Sequence, residues 1–299
     1  MKSKAIKKPK LALVFGNLPS AEEVDQFKLL KDFFTISVVS TKSICGYLHE
    51  TSRFQDLECL ALPDHDENPT YVPGLENVLA DFDVVIVKER LGLYAYQAVK
   101  AKWKHKFRLI VWVDNLAILP AEDIAQMRTI RNEVGNAADA FLVQSNAAEQ
   151  SLLIEGIDAD RIIQFTPWVE RIAKRNKKTR SQALAALGLA EDTVVVAHVG
   201  QIEWEEGLTD LVAGLKLAIA KDQTRADRIR LVFSGIGSFA VQFKQTLVTL
   251  GLDDRAVFVA PNRDAYSMIM ATADALYLSS TPSRDRVEGD PYRLVQAMA

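Results

Sequence analysis

The octapeptide GQIEWEEG, residues 200 to 207, stands between the apolar run VVVAHV and the helix-patterned segment LTDLVAGLKLAIA. A strand-to-helix turn of this kind suits an anion, because free amides and the helix dipole both point positive charge at it. Yet the turn holds Glu203, Glu205 and Glu206 and no cation. Acids are favourable in the first turn of a helix, and this is the expected role of Glu203 and Glu205. A second turn, SGIGSFA, places Gly235, Gly237 and Ala240 in a GxGxxA spacing between a strand and a helix. That is the dinucleotide fingerprint, but the next strand ends AVFVAPNRD with no acid to hold a ribose diol, and the motif follows the second strand of its series. NAD or NADP binding is therefore not expected. The glycines read as a tight turn with close helix packing, to which an anion site can be added.

These turns need a scaffold, and the chain supplies one. Short β-branched runs at 10–16, 34–40, 57–62, 83–89, 108–114 and 140–145 alternate with segments of helical spacing such as AEEVDQFKLLKDF. A second series follows at 194–200, 230–237, 256–261 and 275–280. Near-continuous apolar strands covered by helices imply parallel sheets buried on both faces. The expected organisation is an α/β protein with one Rossmann-like domain over 1–168, a basic linker over 169–182 and a second domain over 183–299. The linker carries six Lys/Arg between Arg171 and Arg180 and shows no apolar face. At 299 residues the chain exceeds the size at which one core usually keeps growing.

Composition excludes several classes. A net charge of -3 gives no basic field for nucleic acid. The basic N-terminus MKSKAIKKPK lacks the apolar core of a signal peptide, and no apolar stretch approaches a membrane span. A cytoplasmic protein is expected, with at most peripheral membrane contact. The two cysteines, Cys45 and Cys59, lack the spacing of a metal site and are expected to be reduced and structural. No metal and no cofactor is expected.

Four segments of the second half resemble the donor domain of retaining glycosyltransferases of family 4, which have the GT-B fold of two facing Rossmann-like domains. VVVAHVGQIEWEEGLTDLVAGL is similar to the family's strand, VGRLxWEKG turn and helix, and LVFSGIGSF to its VGxGP turn. AVFVAPNRDAYSMIMATADALYLSS and PSRDRVEGDPYRLVQAMA resemble the segments that lead to and contain the E-x7-E motif. The first half is similar more loosely, through DFDVVIVKE, LIVWVDN and the run from Ala137 to Glu170.

The resemblance implies transfer of a hexose from a nucleotide diphosphate sugar to an unknown acceptor, with retention. Glu288 would hold the sugar, Gln296 the ribose, Asp114 (or its neighbour Asn115) the acceptor side, and Gly200 with the amides over Gly235, Gly237 and Ser238 the donor. The family's two diphosphate-neutralising cations fall on Gln201 and Glu206 here, and the second acid of E-x7-E falls on Gln296. A charge-assisted hydrogen bond is worth about 1.5 to 3 kcal/mol, and a carboxylate roughly 4 Å from a phosphate charge repels it by about 4 kcal/mol at an effective dielectric near 20. Arg284, Arg286 and Arg293 are the candidate replacement cations. The first βα turn keeps only Gly16 and Asn17 as small residues. Trp168 falls in the interdomain turn, where a buried hinge aromatic is expected and stacking on a sugar is the alternative. Relatives continue beyond the point matched by Ala299, so the second domain is expected to be incomplete or to have its sheet edge covered by a protein partner. The alternative is a degenerate homologue that serves as a binding or scaffold protein.

Overall fold

The structure is a computed structural model that describes residues 8–17, 19, 21–50, 56–65, 71–88, 92–113, 125–165 and 177–279. The chain divides into two compact units.

The first unit is a seven-stranded parallel sheet in the order β3-β2-β1-β4-β5-β6-β7. Its strands are β1 (Lys10–Val14), β2 (Thr35–Thr41), β3 (Glu58–Leu62), β4 (Val84–Lys88), β5 (Arg108–Val113), β6 (Ala140–Val143) and β7 (Ile162–Gln164). Its helices are α1 (Ala21–Lys28), α2 (Lys42–Glu50), α3 (Leu75–Leu79), α4 (Leu93–Lys104), α5 (Ala125–Ala137) and α6 (Asn146–Ile154). Side chains alternate across a strand, so Leu11, Leu13 and Phe15 enter one apolar cluster with Ile86 and Trp112, while Ala12 and Val14 enter another with Val85, Val87 and Val111. Both faces are buried, which is why these strands read as unbroken apolar runs.

Three aspartates set the strand starts. Asp83, just before β4, accepts the backbone N–H of Lys10 at 2.7 Å, and Asp139, just before β6, accepts that of Leu109 at 2.7 Å. Asp139 also binds Lys102 Nζ at 2.6 Å and Arg108 Nη1 at 3.0 Å. Burial pushes its pKa up, but the bonds from Lys102, Leu109 and Arg108 outweigh this and leave it lowered.

The second unit is a four-stranded parallel sheet in the order β10-β9-β8-β11. Its strands are β8 (Val194–Val199), β9 (Ile229–Ser234), β10 (Ala256–Val259) and β11 (Ala275–Leu276), and its helices are α7 (Lys177–Ala186), α8 (Leu208–Lys221), α9 (Gln223–Ala226), α10 (Ala240–Leu250) and α11 (Arg263–Thr272). Phe233 packs at 5.1 Å from both Phe243 and Phe258, between centroids, and anchors α10 to the sheet. Here Asp274 repeats the aspartate device by accepting the Val195 N–H at 2.9 Å and pairing with Arg180 at 2.9 Å.

All ten expected strands are present; most end before the expected run does, β3 ends with it and β2 extends one residue beyond it, to Thr41. β7 was not expected; it is a short edge strand whose residues are half-buried or exposed. The expectation of reduced cysteines is overturned. Cys45 on α2 and Cys59 on β3 form a disulfide, with Cα atoms 5.7 Å apart. Their spacing along the chain held no sign that the helix returns onto the neighbouring strand. Such bonds persist in oxidising compartments, so the cytoplasmic expectation is carried no further. Among the described residues no helix is long and apolar enough to cross a membrane.

Candidate functional site

The turns after β8 and β9 continue the ladder of their strands. Gly200 N–H donates to the Ser234 carbonyl at 3.0 Å, Ile202 N–H to the Ile236 carbonyl at 2.9 Å, and Phe239 N–H to the Ile202 carbonyl at 3.2 Å. This zippering explains the glycines of SGIGSFA. A Cβ on Gly235 would lie 1.6 Å from the Gly200 carbonyl oxygen, and one on Gly237 would lie 2.2 Å from the Ile202 carbonyl oxygen. Both glycines serve the approach of one backbone to another.

Beside the zippered turns, at the carboxyl ends of β8, β9 and β10, lies a cleft of about 310 Å³. Val199, Gly200, Gln201, Ser234, Gly235, Ile236, Pro261, Asn262 and Tyr266 line it. Open α/β sheets place ligands at this edge. Gly200, Gln201 and Gly235 thus stand together as the sequence suggested, and Gln201 is exposed to the cleft. Among the described residues, none that lines it is a cation.

The acids of GQIEWEEG take three different positions. Glu203 does not simply charge the helix: its carboxylate crosses to the second turn and accepts the Ser238 N–H at 2.8 Å and the Ser238 hydroxyl at 2.5 Å. Glu205 is half-buried in the single 3-10 turn Trp204–Glu206. Glu206 is 1% exposed and is not among the cleft residues. Its backbone carbonyl accepts the Ser279 hydroxyl at 3.1 Å, which ties this turn to the residues after β11.

Sequence reasoning missed three contributors. His198 is fully buried in β8, with Nε2 3.1 Å from the Gln201 carbonyl and Nδ1 3.3 Å from the Tyr277 carbonyl, so it holds the Gln201 turn from below. A polar residue inside VVVAHV was the available signal. Asn262 caps α11 by accepting the Ala265 N–H at 2.8 Å, and Tyr266 stands one turn further on. A Pro-Asn pair after an apolar strand marks such a cap, and it brings the start of α11 to the cleft.

The other candidates, Asp114, Asn115, Trp168, Arg284, Arg286, Glu288, Arg293 and Gln296, lie outside the described residues. In the first unit the carboxyl edge of the sheet carries a different polar pair. The Tyr94 hydroxyl is 2.7 Å from His65 Nε2, and burial, followed by the charge of Asp64, pushes the Tyr94 pKa up to about 12. Gly16 lies under this ring, for a Cβ there would be 2.9 Å from a Tyr94 ring carbon.

No protein-family model and no curated protein sequence matches the chain. Solved structures do. HepE from Anabaena, in complex with UDP and glucose, superposes with a TM-score of 0.75 at 16% identity, over 97% of this chain and 78% of that one. WaaG, a glycosyltransferase involved in lipopolysaccharide biosynthesis, gives 0.70 at 12% identity, over 96% of this chain and 78% of its own. The UDP-GlcNAc 2-epimerase from Methanocaldococcus jannaschii gives 0.56 at 17% identity, over 89% and 77%. At these identities the likeness is one of fold, and the fold is GT-B.

Proposed function

We propose that this chain is a glycosyltransferase-like protein whose second unit binds a nucleotide diphosphate sugar. The observation that carries the reading is the cleft at the carboxyl ends of β8, β9 and β10, walled by Gly200, Gln201 and Gly235 from the two turns that the sequence singled out. HepE, of the same fold, is seen with UDP and glucose, which supports a uridine nucleotide as the first ligand to try.

In the transferase reading, the acceptor hydroxyl attacks the anomeric carbon of a hexose. The new glycosidic bond forms on the face from which the donor phosphate departs as that bond breaks, so configuration is retained, and the departing phosphate oxygen takes the hydroxyl proton. Glu288 would meet the sugar hydroxyls, Gln296 the ribose, and Asp114 the acceptor side. Arg284 and Arg286 would supply the positive charge that Gln201 does not. The cleft residues hold and orient; Pro261, Asn262 and Tyr266 form the wall away from the zippered turns.

A second reading, a degenerate homologue that binds without turnover, is favoured by one observation: among the described residues no cation lines the cleft. An epimerase of the same fold also means that fold by itself does not select transfer. Incubation with UDP-glucose and a panel of hydroxyl acceptors, read by UDP release and by the anomeric proton coupling of the product, separates the readings. Release of UDP with an α-linked product supports transfer; saturable binding without release supports the binding protein.

A further inference from the structure

At the amino ends of its strands the first unit presents large apolar side chains to solvent. We propose that this edge docks on an anionic lipid surface, an inference independent of the nucleotide reading above. Backbone hydrogen bonds knit the edge together: Thr35 N–H donates to the Pro9 carbonyl at 2.9 Å, Asp83 N–H to the Lys10 carbonyl at 3.0 Å, and Arg108 N–H to the Asp83 carbonyl at 2.9 Å. The segments that lead into β2 and β5 therefore border one edge, and both carry exposed apolar residues to it. Before β2 comes the 3-10 helix Leu29–Asp32. Leu30 and Phe34 pack against the core, whereas Leu29 and Phe33, four residues apart, are each 67% exposed. Before β5, near the end of α4, Trp103 is 62% exposed although Lys100 Nζ stands 4.2 Å from its ring centroid.

Charge selects the partner. Several bases of the edge are balanced by acids, Lys31 by Asp56, Lys104 by Glu76, and Lys102 and Arg108 by Asp139. Residues 1–10 add five lysines and no acid. Lys8 Nζ donates to the Lys31 carbonyl at 2.6 Å, which fastens this basic run to the 3-10 helix that presents Leu29. Leu, Phe and Trp beside a lysine run suit the boundary of a bilayer, where apolar side chains enter between the headgroups and lysines within a Debye length of anionic lipid are attracted to it. A nucleic acid would use the lysines and stack on the aromatic rings but would leave Leu29 in water, so lipid uses more of what the edge offers.

The test is co-sedimentation of the full chain with vesicles of phosphatidylcholine alone and of phosphatidylcholine mixed with phosphatidylglycerol, at low and at raised salt. Beside the native protein stand a double variant, Leu29→Ser with Phe33→Ser, and a triple variant, Lys2→Gln with Lys4→Gln and Lys7→Gln. Val241→Ser, which removes an exposed apolar side chain from α10 of the second unit, is the control. Each protein is first checked for a native thermal transition, and Trp103→Ala reports on the same edge if the double variant does not fold. The native chain should partition onto the phosphatidylglycerol vesicles and not onto phosphatidylcholine alone, with salt weakening the binding. The double and triple variants should each lower the partition coefficient at least about tenfold, Trp103→Ala should lower it too, and Val241→Ser should leave it unchanged. No sedimentation with the anionic vesicles, equal sedimentation with both lipids, or native affinity in either multiple variant overturns the proposal, as does an equal loss from Val241→Ser. Binding of a single-stranded RNA oligonucleotide at the same salt, with the same losses in the variants, would assign the edge to nucleic acid and overturn it as well.

Discussion

Two residues that the resemblance sets side by side part company in the structure. Gln201 is exposed at the cleft, and Glu206 is buried away from its lining. Restoring cations therefore has opposite outcomes at the two positions. Gln201→Arg should raise UDP affinity by about tenfold, the value of one charge-assisted hydrogen bond, in the same titration as the native protein. Glu206→Lys should instead lower the unfolding midpoint in urea, because a longer ammonium side chain is forced into a 1%-exposed site. An equal gain in affinity from Glu206→Lys, with unchanged stability, would show that this side chain reaches the cleft. The glycines teach the same lesson about what is legible. Their spacing was visible in SGIGSFA, and it resembles a nucleotide signature, but the cause is a backbone oxygen 1.6 Å from where a Cβ would stand. Gly235→Ala should cost upward of about 2 kcal/mol, measured by chemical denaturation, whether or not a ligand is present.

Among the elements, the central strands were legible because they are apolar on both faces, and this leaves little else that such runs can be. β7 was not, because IIQ is three residues long and sits on the sheet edge, so burial imposes no pattern on it. The aspartates before β4, β6 and β11 lie at boundaries the sequence marked, yet their role in pinning the neighbouring strand's first amides needs the sheet order to be seen. Asp139 ties α4 to β5, and its lowered pKa gives a testable sign. A depressed carboxylate contributes stability above its unfolded value of about 3.9 and loses it as the pH falls through the folded value. Asp139→Asn should thus be less stable than the native chain near neutrality, with the gap closing as the pH is lowered below about 4. A gap independent of pH would remove the charge from the explanation. The Cys45–Cys59 bond joins α2 to β3 across a sequence separation of 14. Reduction should cost about 3 kcal/mol, the loop-closure value for a segment of this length, seen as a lower denaturation midpoint in the presence of reductant. Intact-mass analysis under denaturing conditions after alkylation should find no free thiol. Two alkylated cysteines without reductant would contradict the bond.

For the molecule as a whole, the α/β class and the parallel sheets could be read from the chain, since alternating strands and helices with apolar cores on both faces admit few architectures, and the GT-B fold came from the resemblance of its turns to those of a known family. The site was legible in part. Gly200, Gln201 and Gly235 meet at one cleft, because a strand's carboxyl end and the turn after it stay together in any such fold. Asn262 and Tyr266 arrive from α11, two strands away in sequence from β8, and only the sheet order β10-β9-β8 brings them there. The central claim is that this cleft holds a nucleotide sugar, and the direct measurement is calorimetric titration of UDP-glucose into the native chain and into Tyr266→Ala. The native protein should show saturable one-to-one binding, weaker than low-micromolar because Gln201 and Glu206 stand where the resemblance puts cations, and the variant at least about a tenfold loss. Absence of binding to the native chain and to Gln201→Arg alike, up to millimolar ligand, would contradict it.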